Sequence, residues 1–407
     1  MKRIGILLFF CFSLFAARAQ ETALTPAQIE TLFLERNLVL IAERMNVSIA
    51  DAAVAEAKVW DNPEFSIGDL NVWTGGEEKQ FSAELSQMFS LSAKRAKLAA
   101  VERVGKEIAV KQFEELLRGM KTELRNTVAE TLCLQNTLSV IETQRKVLQE
   151  VIAGYRIQYE KGNIAQSDLL RLQTALFSVE GDLNDTRTAL NARQRTLKNL
   201  LSTDVPVRIA EVAERFPAPA SLDPMRLTDE ALATRPDLET ARLQSKYFEK
   251  DIIYQRSLAM PDVSLGIRYD RYGGVWKDFY GVGVGMQIPL FNRNKGAIKT
   301  ARIQLRQNET LVEQEQTGIR NEVLESFQNY ASTYEFLENN VKNPALEKLD
   351  EMVGTYTGNL LARNISLVEY MDFMNSYRTA KEQLLAAQKQ LRLHFEQLQY
   401  AIGHDLN

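Results

Sequence analysis

Prolines fall at 26 and 63 and then not again until 206, so the stretch from Ala93 to Leu201 contains no strong helix breaker. Within it apolar residues return every three to four positions: Leu98, Val101, Val104, Ile108, then Phe113, Leu117, Met120, Leu124, Val128 and Leu132. The pattern resumes through Leu138, Ile141, Leu148, Ile152, Tyr155 and Tyr159. This is helical periodicity close to the coiled-coil value. A single helix from Ala93 to Lys161 would run roughly 100 Å at about 1.5 Å per residue. A helix of that length does not fit inside a compact domain and requires a rod or a tube. Gly162-Asn163 interrupts the pattern, and a second helix is predicted from about Ser167 to Leu201.

Composition removes several classes of function. With 45% hydrophobic and 25% charged residues the chain is neither disordered nor collagen-like. A formal charge of −4 argues against a general polyanion binder. Two histidines and two cysteines leave little material for a zinc finger, a disulfide scaffold or a histidine-based active site. No nucleophile–base pair stands out, so no enzyme and no cofactor is expected. Residues 1–19 read as an export leader: basic Lys2-Arg3, an apolar run from Ile4 to Phe15, and Ala17-Arg18-Ala19 as a small-x-small cleavage site. Cleavage there would leave 46 basic against 53 acidic residues, −7, and the single cysteine Cys133. Bulky Phe10 before Cys11 and the short apolar run argue against lipidation at Cys11. No later run approaches the ~20 apolar residues of a membrane helix. A soluble periplasmic protein, a secreted protein or an outer-membrane β-barrel remain open.

The same plan occurs twice. Asn62-Pro63-Glu64-Phe65-Ser66-Ile67-Gly68 and Met260-Pro261-Asp262-Val263-Ser264-Leu265-Gly266 lie 198 positions apart, and the offset also aligns Gly75-Gly76 with Gly273-Gly274. At an offset of 201, Tyr155, Asn163-Ile164 and Leu183 meet Tyr356, Asn364-Ile365 and Leu384. Shared Pro and Gly mark shared backbone geometry, so the chain reads as a tandem duplication. After the leader, residues 20–205 form the first repeat: a helix, a hairpin over about 62–91, and long helices over about 93–161 and 167–201. A linker over 206–226 leads to the second repeat, 227–407, with a hairpin over about 261–291 and long helices over about 295–362 and 366–402. Pro344 is expected to break or kink the first of these.

The hairpins have two faces. Val263, Leu265, Ile267 and Tyr269 alternate with Ser264, Gly266, Arg268 and Asp270; Tyr280, Val282, Val284, Met286 and Ile288 alternate with Gly281, Gly283, Gly285 and Gln287. Phe81, Ala83 and Leu85 against Ser82, Glu84 and Ser86 repeat this less cleanly. Strands of about ten residues cross a bilayer when tilted, and lipid tolerates only closed barrels. Four strands cannot close, so several chains must share one barrel.

This plan resembles the TolC-type outer-membrane efflux channels over essentially the whole mature chain. The resemblance rests on the duplication, on Tyr155-x6-Gly162 followed by Asp168-Leu169-Leu170, and on Ile288-Pro289-Leu290-Phe291-Asn292-Arg293-Asn294-Lys295-Gly296, which is similar to the strand-to-helix junction of the cation-efflux (Czc/Cus-like) branch. It implies a mainly α fold with a membrane β-barrel: long antiparallel helices form a periplasmic α-barrel, and four strands per chain close a twelve-stranded barrel in a homotrimer. It implies an outer-membrane location in a Gram-negative bacterium, reaching into the periplasm. The implied partners are outer-membrane lipid, a periplasmic adaptor and an inner-membrane resistance-nodulation-division pump. The function implied is passive conduction, of heavy-metal cations for this branch. Drug efflux or type I secretion on the same fold, and a non-channel periplasmic coiled coil, are the competing readings.

Candidate site residues follow. Asp168, Glu369 and Asp372 sit just past the two helix turns, where the resemblance puts a constriction; repeated acids there would favour cations, although acids early in a helix also simply stabilise its N-terminus. The turns themselves, Gly162-Asn163-Ile164 and Arg363-Asn364-Ile365, are candidates for adaptor contact, because an exposed isoleucine at a hairpin tip is otherwise unexplained; local packing is the alternative. Trp73 and Trp276 are candidates for the membrane interface. Lys94, Arg95, Lys97 and Arg103 read as a solvated basic face, with phospholipid contact as the alternative. His394, His404 and Cys133 are scattered and are expected to bind no metal.

Overall fold

The computed structural model describes residues 23–71, 79–213, 215–341 and 348–406. In chain order the elements are β1 (Ala23–Leu24), α1 (Pro26–Arg36), α2 (Leu38–Glu56), β2 (Glu64–Asn71), β3 (Gln80–Ser90), α3 (Lys94–Glu160), α4 (Gln166–Leu201), β4 (Arg208–Ile209), α5 (Pro224–Thr234), α6 (Pro236–Leu258), β5 (Asp262–Arg271), β6 (Asp278–Gln287), α7 (Lys295–Val341), α8 (Leu349–Leu361) and α9 (Leu367–Ile402). The proline-free tract yields the 67-residue α3. No helix among the described residues is long and apolar enough to cross a membrane. The chain divides into two compact units, each drawing segments from both repeats.

The first unit comprises residues up to Asn37, Leu124–Arg215 and Asn340–Lys389. Its core is a seam between helices: Ile141, Leu148 and Val151 of α3, Leu172, Val179 and Leu183 of α4, Val353 and Leu360 of α8, and Leu367, Tyr370, Met374 and Tyr377 of α9. Steps of three, four and seven are the spacing of knobs-into-holes packing. Pairing of Arg187 with Glu142 (2.8 Å) and of Arg193 with Glu130 (3.1 Å) shows that α3 and α4 run antiparallel. The far end of α4 is fastened by the buried Asn37, whose Nδ2 donates to the Leu200 carbonyl at 2.8 Å. Parallel β1 and β4 pair beside it.

The second unit comprises Leu38–Glu123, Phe216–Asn339 and Gln390–Asn407. It holds one antiparallel sheet in the order β2-β3-β5-β6. The two hairpins join edge to edge, β3 against β5, in continuous register from Phe81↔Arg271 to Ser90↔Asp262. Beneath the sheet Val104 and Ile108 of α3 pack on Leu243 and Tyr247 of α6. Asn308 of α7 donates to the Ala241 carbonyl (2.7 Å) and Ser245 Oγ (2.8 Å), tying α7 to α6. Near the chain's last helical turn, buried Arg235 holds three elements together. Its Nη1 donates to Glu322 Oε2 of α7 (2.6 Å) and to the Ala401 carbonyl of α9 (2.9 Å), and its Nη2 to Asp237 Oδ2 of α6 (2.5 Å).

Candidate functional site

Register sorts the sheet's side chains into two unlike faces. Phe65, Leu85, Ile267 and Val282 stand side by side across all four strands, and Ile67, Ala83, Tyr269 and Tyr280 form the next row. Leu265 beside Val284, and Phe89, Val263 and Met286 together, continue the same face. Among the described residues nothing covers its centre: Ile267 is 60% exposed and Val282 82% exposed. The opposite face carries Ser66, Glu84, Arg268 and Gly281 in one row and Gly68, Ser82 and Asp270 in another. There Asp69 Oδ2 accepts from Ser82 Oγ and from Arg268 Nη2, each at 2.9 Å. The bare face is therefore mainly apolar, interrupted by Gln87 beside Leu265 and by Arg271 and Asp278 in the row of Phe81, while on the opposite face Arg268 pairs with Asp69.

In the first unit the two predicted turns are built alike. Asn163 N–H donates to the Gln158 carbonyl and Gly162 N–H to that of Tyr159; Asn364 and Arg363 do the same with Asn359 and Leu360. This is the Schellman arrangement, which needs a left-handed residue after the last helical turn. Gly162 supplies it at φ 72°, and Arg363 takes it at φ 62° although it has a side chain, a conformation that costs about 1 kcal/mol more than it would for Gly. The tips touch: Gln158 Oε1 accepts from both Asn163 Nδ2 and Arg363 Nη2, each at 2.9 Å. Gly162, Asn163, Arg363 and Asn364 are exposed. The isoleucines correct the sequence expectation, since Ile164 and Ile365 are half-buried and Ile365 packs on the helical seam. A Schellman turn commonly brings an apolar residue back onto its helix, so a local packing role accounts for them.

Of the acids, Asp168 lies in the first turn of α4, half-buried, and its charge adds to burial in pushing the Tyr155 phenol up. Glu369 is exposed in the first turn of α9, where its N–H donates to Ser366 Oγ at 3.2 Å. Asp372 lines an open groove of about 820 Å3 between α4 and α9, together with Leu170, Met371 and the cations Arg171 and Arg378. These arginines escaped the sequence reading; arginine three residues after one acid and six after another gives no signal by itself. Arg378 reaches across from α9 to Asp182 of α4. Tyr377 donates to Asp350 Oδ1 at 3.0 Å and Lys381 to Oδ2 at 2.7 Å. Burial pushes the Asp350 carboxyl up, but these two donors and the lysine charge hold it below the usual range.

Trp276 is exposed in the β5–β6 connection, and Trp73 lies outside the described residues, as do Gly75, Gly76 and Pro344. The basic face is only partly solvated: Lys94 is half-buried against Asp262 at 2.6 Å, which corrects the first of its four members. Asp262 opens β5, so the pair pins the start of α3 to the sheet. His394 bonds Thr333 Oγ1 (2.8 Å) and Gln390 Nε2 (2.7 Å), and His404 reaches Glu230 (3.3 Å). Among the described residues no three His, Cys, Asp or Glu side chains gather as a metal site.

The chain thus combines a four-stranded sheet with one bare, mainly apolar face and helices of up to 67 residues. Residues 227–404 match the family described as Outer membrane efflux protein. The nickel-cobalt-cadmium resistance protein NccC of Alcaligenes xylosoxydans xylosoxydans is 24% identical over 269 residues, 64% of this chain and 60% of the relative. The cobalt-zinc-cadmium resistance protein CzcC of Cupriavidus metallidurans is 22% identical over 272 residues, 65% of this chain and 63% of the relative. The match thus spans about three-fifths of the length of these curated relatives. Among solved structures, CusC superposes with a TM-score of 0.75 at 17% identity, covering 93% of this chain and 92% of that one. The outer membrane channel CmeC of Campylobacter jejuni gives 0.76 at 13% identity, covering 93% and 85%. The second repeat is thus similar to the outer membrane efflux proteins, and the fold of the chain is that of the solved outer-membrane channels.

Proposed function

We propose that this chain is the outer-membrane channel of a tripartite resistance-nodulation-division efflux system and passively conducts heavy-metal cations from periplasm to exterior. The observation that carries this reading is the bare apolar face spanning all four strands, opposite a polar face, in a sheet whose outer strands β2 and β6 have no further partner within it. In lipid such edges must be paired, so three copies closing a twelve-stranded barrel satisfy both the face and the edges. The two repeats then supply equivalent hairpins and helix pairs to one tube. Metal as cargo is supported by the names of the relatives, which are metal resistance proteins. A conduit releases what it carries, so the chemistry asked of the chain is a charged mouth rather than a ligand cage. In this reading the tips at 162–164 and 363–365 dock the adaptor, and Trp276 meets the outer face of the membrane.

Growth of a deletion strain on Zn, Co, Cd, Ni, Cu and Ag salts beside dyes and antibiotics tests the cargo. Sensitivity confined to metals is expected, restored by the wild-type chain. A chain with Asn163→Trp and Asn364→Trp should reach the outer membrane and still fail to restore tolerance. Sensitivity confined to organic compounds would move the assignment to drug efflux, and full restoration by the double variant would remove the tips from docking.

Asp168, Glu369 and Asp372 form the cation-selective mouth, three copies of each being brought together in the closed assembly. Arg171 and Arg378 beside Asp372 offset part of that charge, so the largest effect is expected when Glu369→Gln and Asp372→Asn are combined. In single-channel recordings the reversal potential under a salt gradient should shift toward zero by a clear fraction of its wild-type value. An unchanged reversal potential would exclude these acids from the conducting path.

A further inference from the structure

The channel reading leaves unused a group of side chains at the sheet end where strands meet helices. Arg95 lies over the Trp60 ring, its guanidinium carbon 3.4 Å from the ring centroid, and its Nη1 donates to the Lys58 carbonyl at 3.4 Å. Phe89 meets the same indole edge-on, with centroids 6.0 Å apart. The indole is nevertheless 57% exposed, and Lys58 is exposed beside it. Among the described residues neither Lys58 nor Arg95 has a carboxylate within ion-pairing distance, whereas neighbouring Lys94 is taken by Asp262. A guanidinium lying on an aromatic ring spends its face there and keeps its in-plane N–H groups for an anion.

The second repeat carries the same charges. Arg256 follows Lys58 by 198 positions, Arg293 follows Arg95 and Lys295 follows Lys97 by the same interval. All three of these later cations are exposed. Register places Ser90, Asp262 and Gln287 side by side, so the β3, β5 and β6 junctions lie along one end of the sheet, with the start of β2 next to them. Exposed Leu91, Met260, Leu290 and Phe291 occupy the same junctions. A free inorganic anion would use the cations and leave these apolar groups idle. An amphiphile with an anionic head uses both.

We propose that this collar binds the headgroups of anionic phospholipids in the leaflet on the helix side of the barrel. Lys58 and Arg95 engage the phosphate, Trp60 lies at the boundary between headgroup and acyl chain, and Arg256, Arg293 and Lys295 repeat the arrangement once per hairpin. The proposal rests on the membrane reading of the sheet given above.

The test uses the full chain reconstituted in phosphatidylcholine vesicles doped with spin-labelled phosphatidylglycerol or spin-labelled phosphatidylcholine. Electron spin resonance then reads the motionally restricted fraction of each label. Phosphatidylglycerol should be enriched at the protein by about threefold over phosphatidylcholine, with the excess falling on addition of salt. The Lys58→Gln/Arg95→Gln variant should bring the ratio close to one while keeping the restricted fraction for phosphatidylcholine. Equal restriction of the two labels by the wild-type chain, which needs no variant to fold, overturns the proposal; so does a preference that survives in the variant or ignores salt. Absence of any restricted component with either label means the sheet is not in the bilayer, and overturns both this proposal and the membrane reading beneath it.

Discussion

Val282→Arg combined with Ile267→Arg is expected to remove the chain from the outer membrane almost completely. The two positions are paired on adjacent strands at the centre of the bare face, where none of the described residues shields them. An arginine near the midplane of a membrane barrel costs about 2–4 kcal/mol, and each closed assembly would carry the cost once per copy per site. Ser66→Arg is the control. Ser66 pairs with Glu84 on the polar face, in the row that already holds Arg268, so an added cation there meets acid and solvent. Fractionation of the cell envelope decides the matter: the double variant should leave the outer-membrane fraction while Ser66→Arg stays. Equal recovery of both in that fraction would mean the apolar face does not meet lipid.

Arg235→Ala is expected to cause the largest loss of stability of any single substitution outside the sheet. Arg235 is 4% exposed and donates to Asp237, Glu322 and a main-chain carbonyl in one place. Removing it leaves two carboxylates facing each other in a partly dry site, a change that typically costs 3–5 kcal/mol, or on the order of several degrees or more in the melting midpoint. Arg118 Nη2, 3.4 Å from Asp237, compensates little because it is already bound to Glu115 and stacked on the Tyr400 ring. The pH dependence has a definite sign. Burial pushes the Asp237 carboxyl up, but hydrogen bonds and charge from Arg235 outweigh it and hold the group below the ordinary value of 3.8. A carboxyl depressed in the folded state stabilises fully above its unfolded value and loses that contribution as pH falls through the folded one. The gap between wild type and Arg235→Ala should therefore be constant near neutrality and close below about pH 4. Helix ellipticity followed on heating at several pH values measures both, and an unchanged midpoint at pH 7 would show that the cluster contributes nothing net.

What could be read from the chain depended on how local the cause was. The proline-free tract and its three-to-four spacing belong to neighbouring residues, and α3 follows from them directly. Alternation over Val263–Tyr269 likewise fixes which side chains share a face of β5. The pairing of β3 with β5 had no such signature, because it joins residues 190 positions apart at Phe81 and Arg271 and is set by the packing of whole hairpins. Arg235 was equally silent: its partners come from α6, α7 and α9, and an arginine before a proline reads as an ordinary helix start. Lys94 misled in the opposite direction, since a cluster of four cations suggests solvent and only the fold brings Asp262 beside one of them. At the tips, Gly162 announced a turn, whereas Arg363 adopts the same left-handed geometry without a residue that declares it. The inward roll of Ile164 and Ile365 comes from that geometry, which residue type alone does not encode.

The edge-to-edge joining of β3 with β5 leaves each copy with two unlike borders, one provided by the first repeat and one by the second. A ring closed from such pieces is directional: the trailing border of one molecule must meet the leading border of the next, and no copy can seal the ring by pairing with itself. Faulty copies are therefore not merely idle. If three copies share a barrel as proposed, one that can offer a single competent border would still enter assemblies and spoil each one it joins. Alleles that damage only β2 or only β6 should behave as genetically dominant in a cell that also makes the intact chain, while alleles that prevent the whole sheet from forming should be recessive.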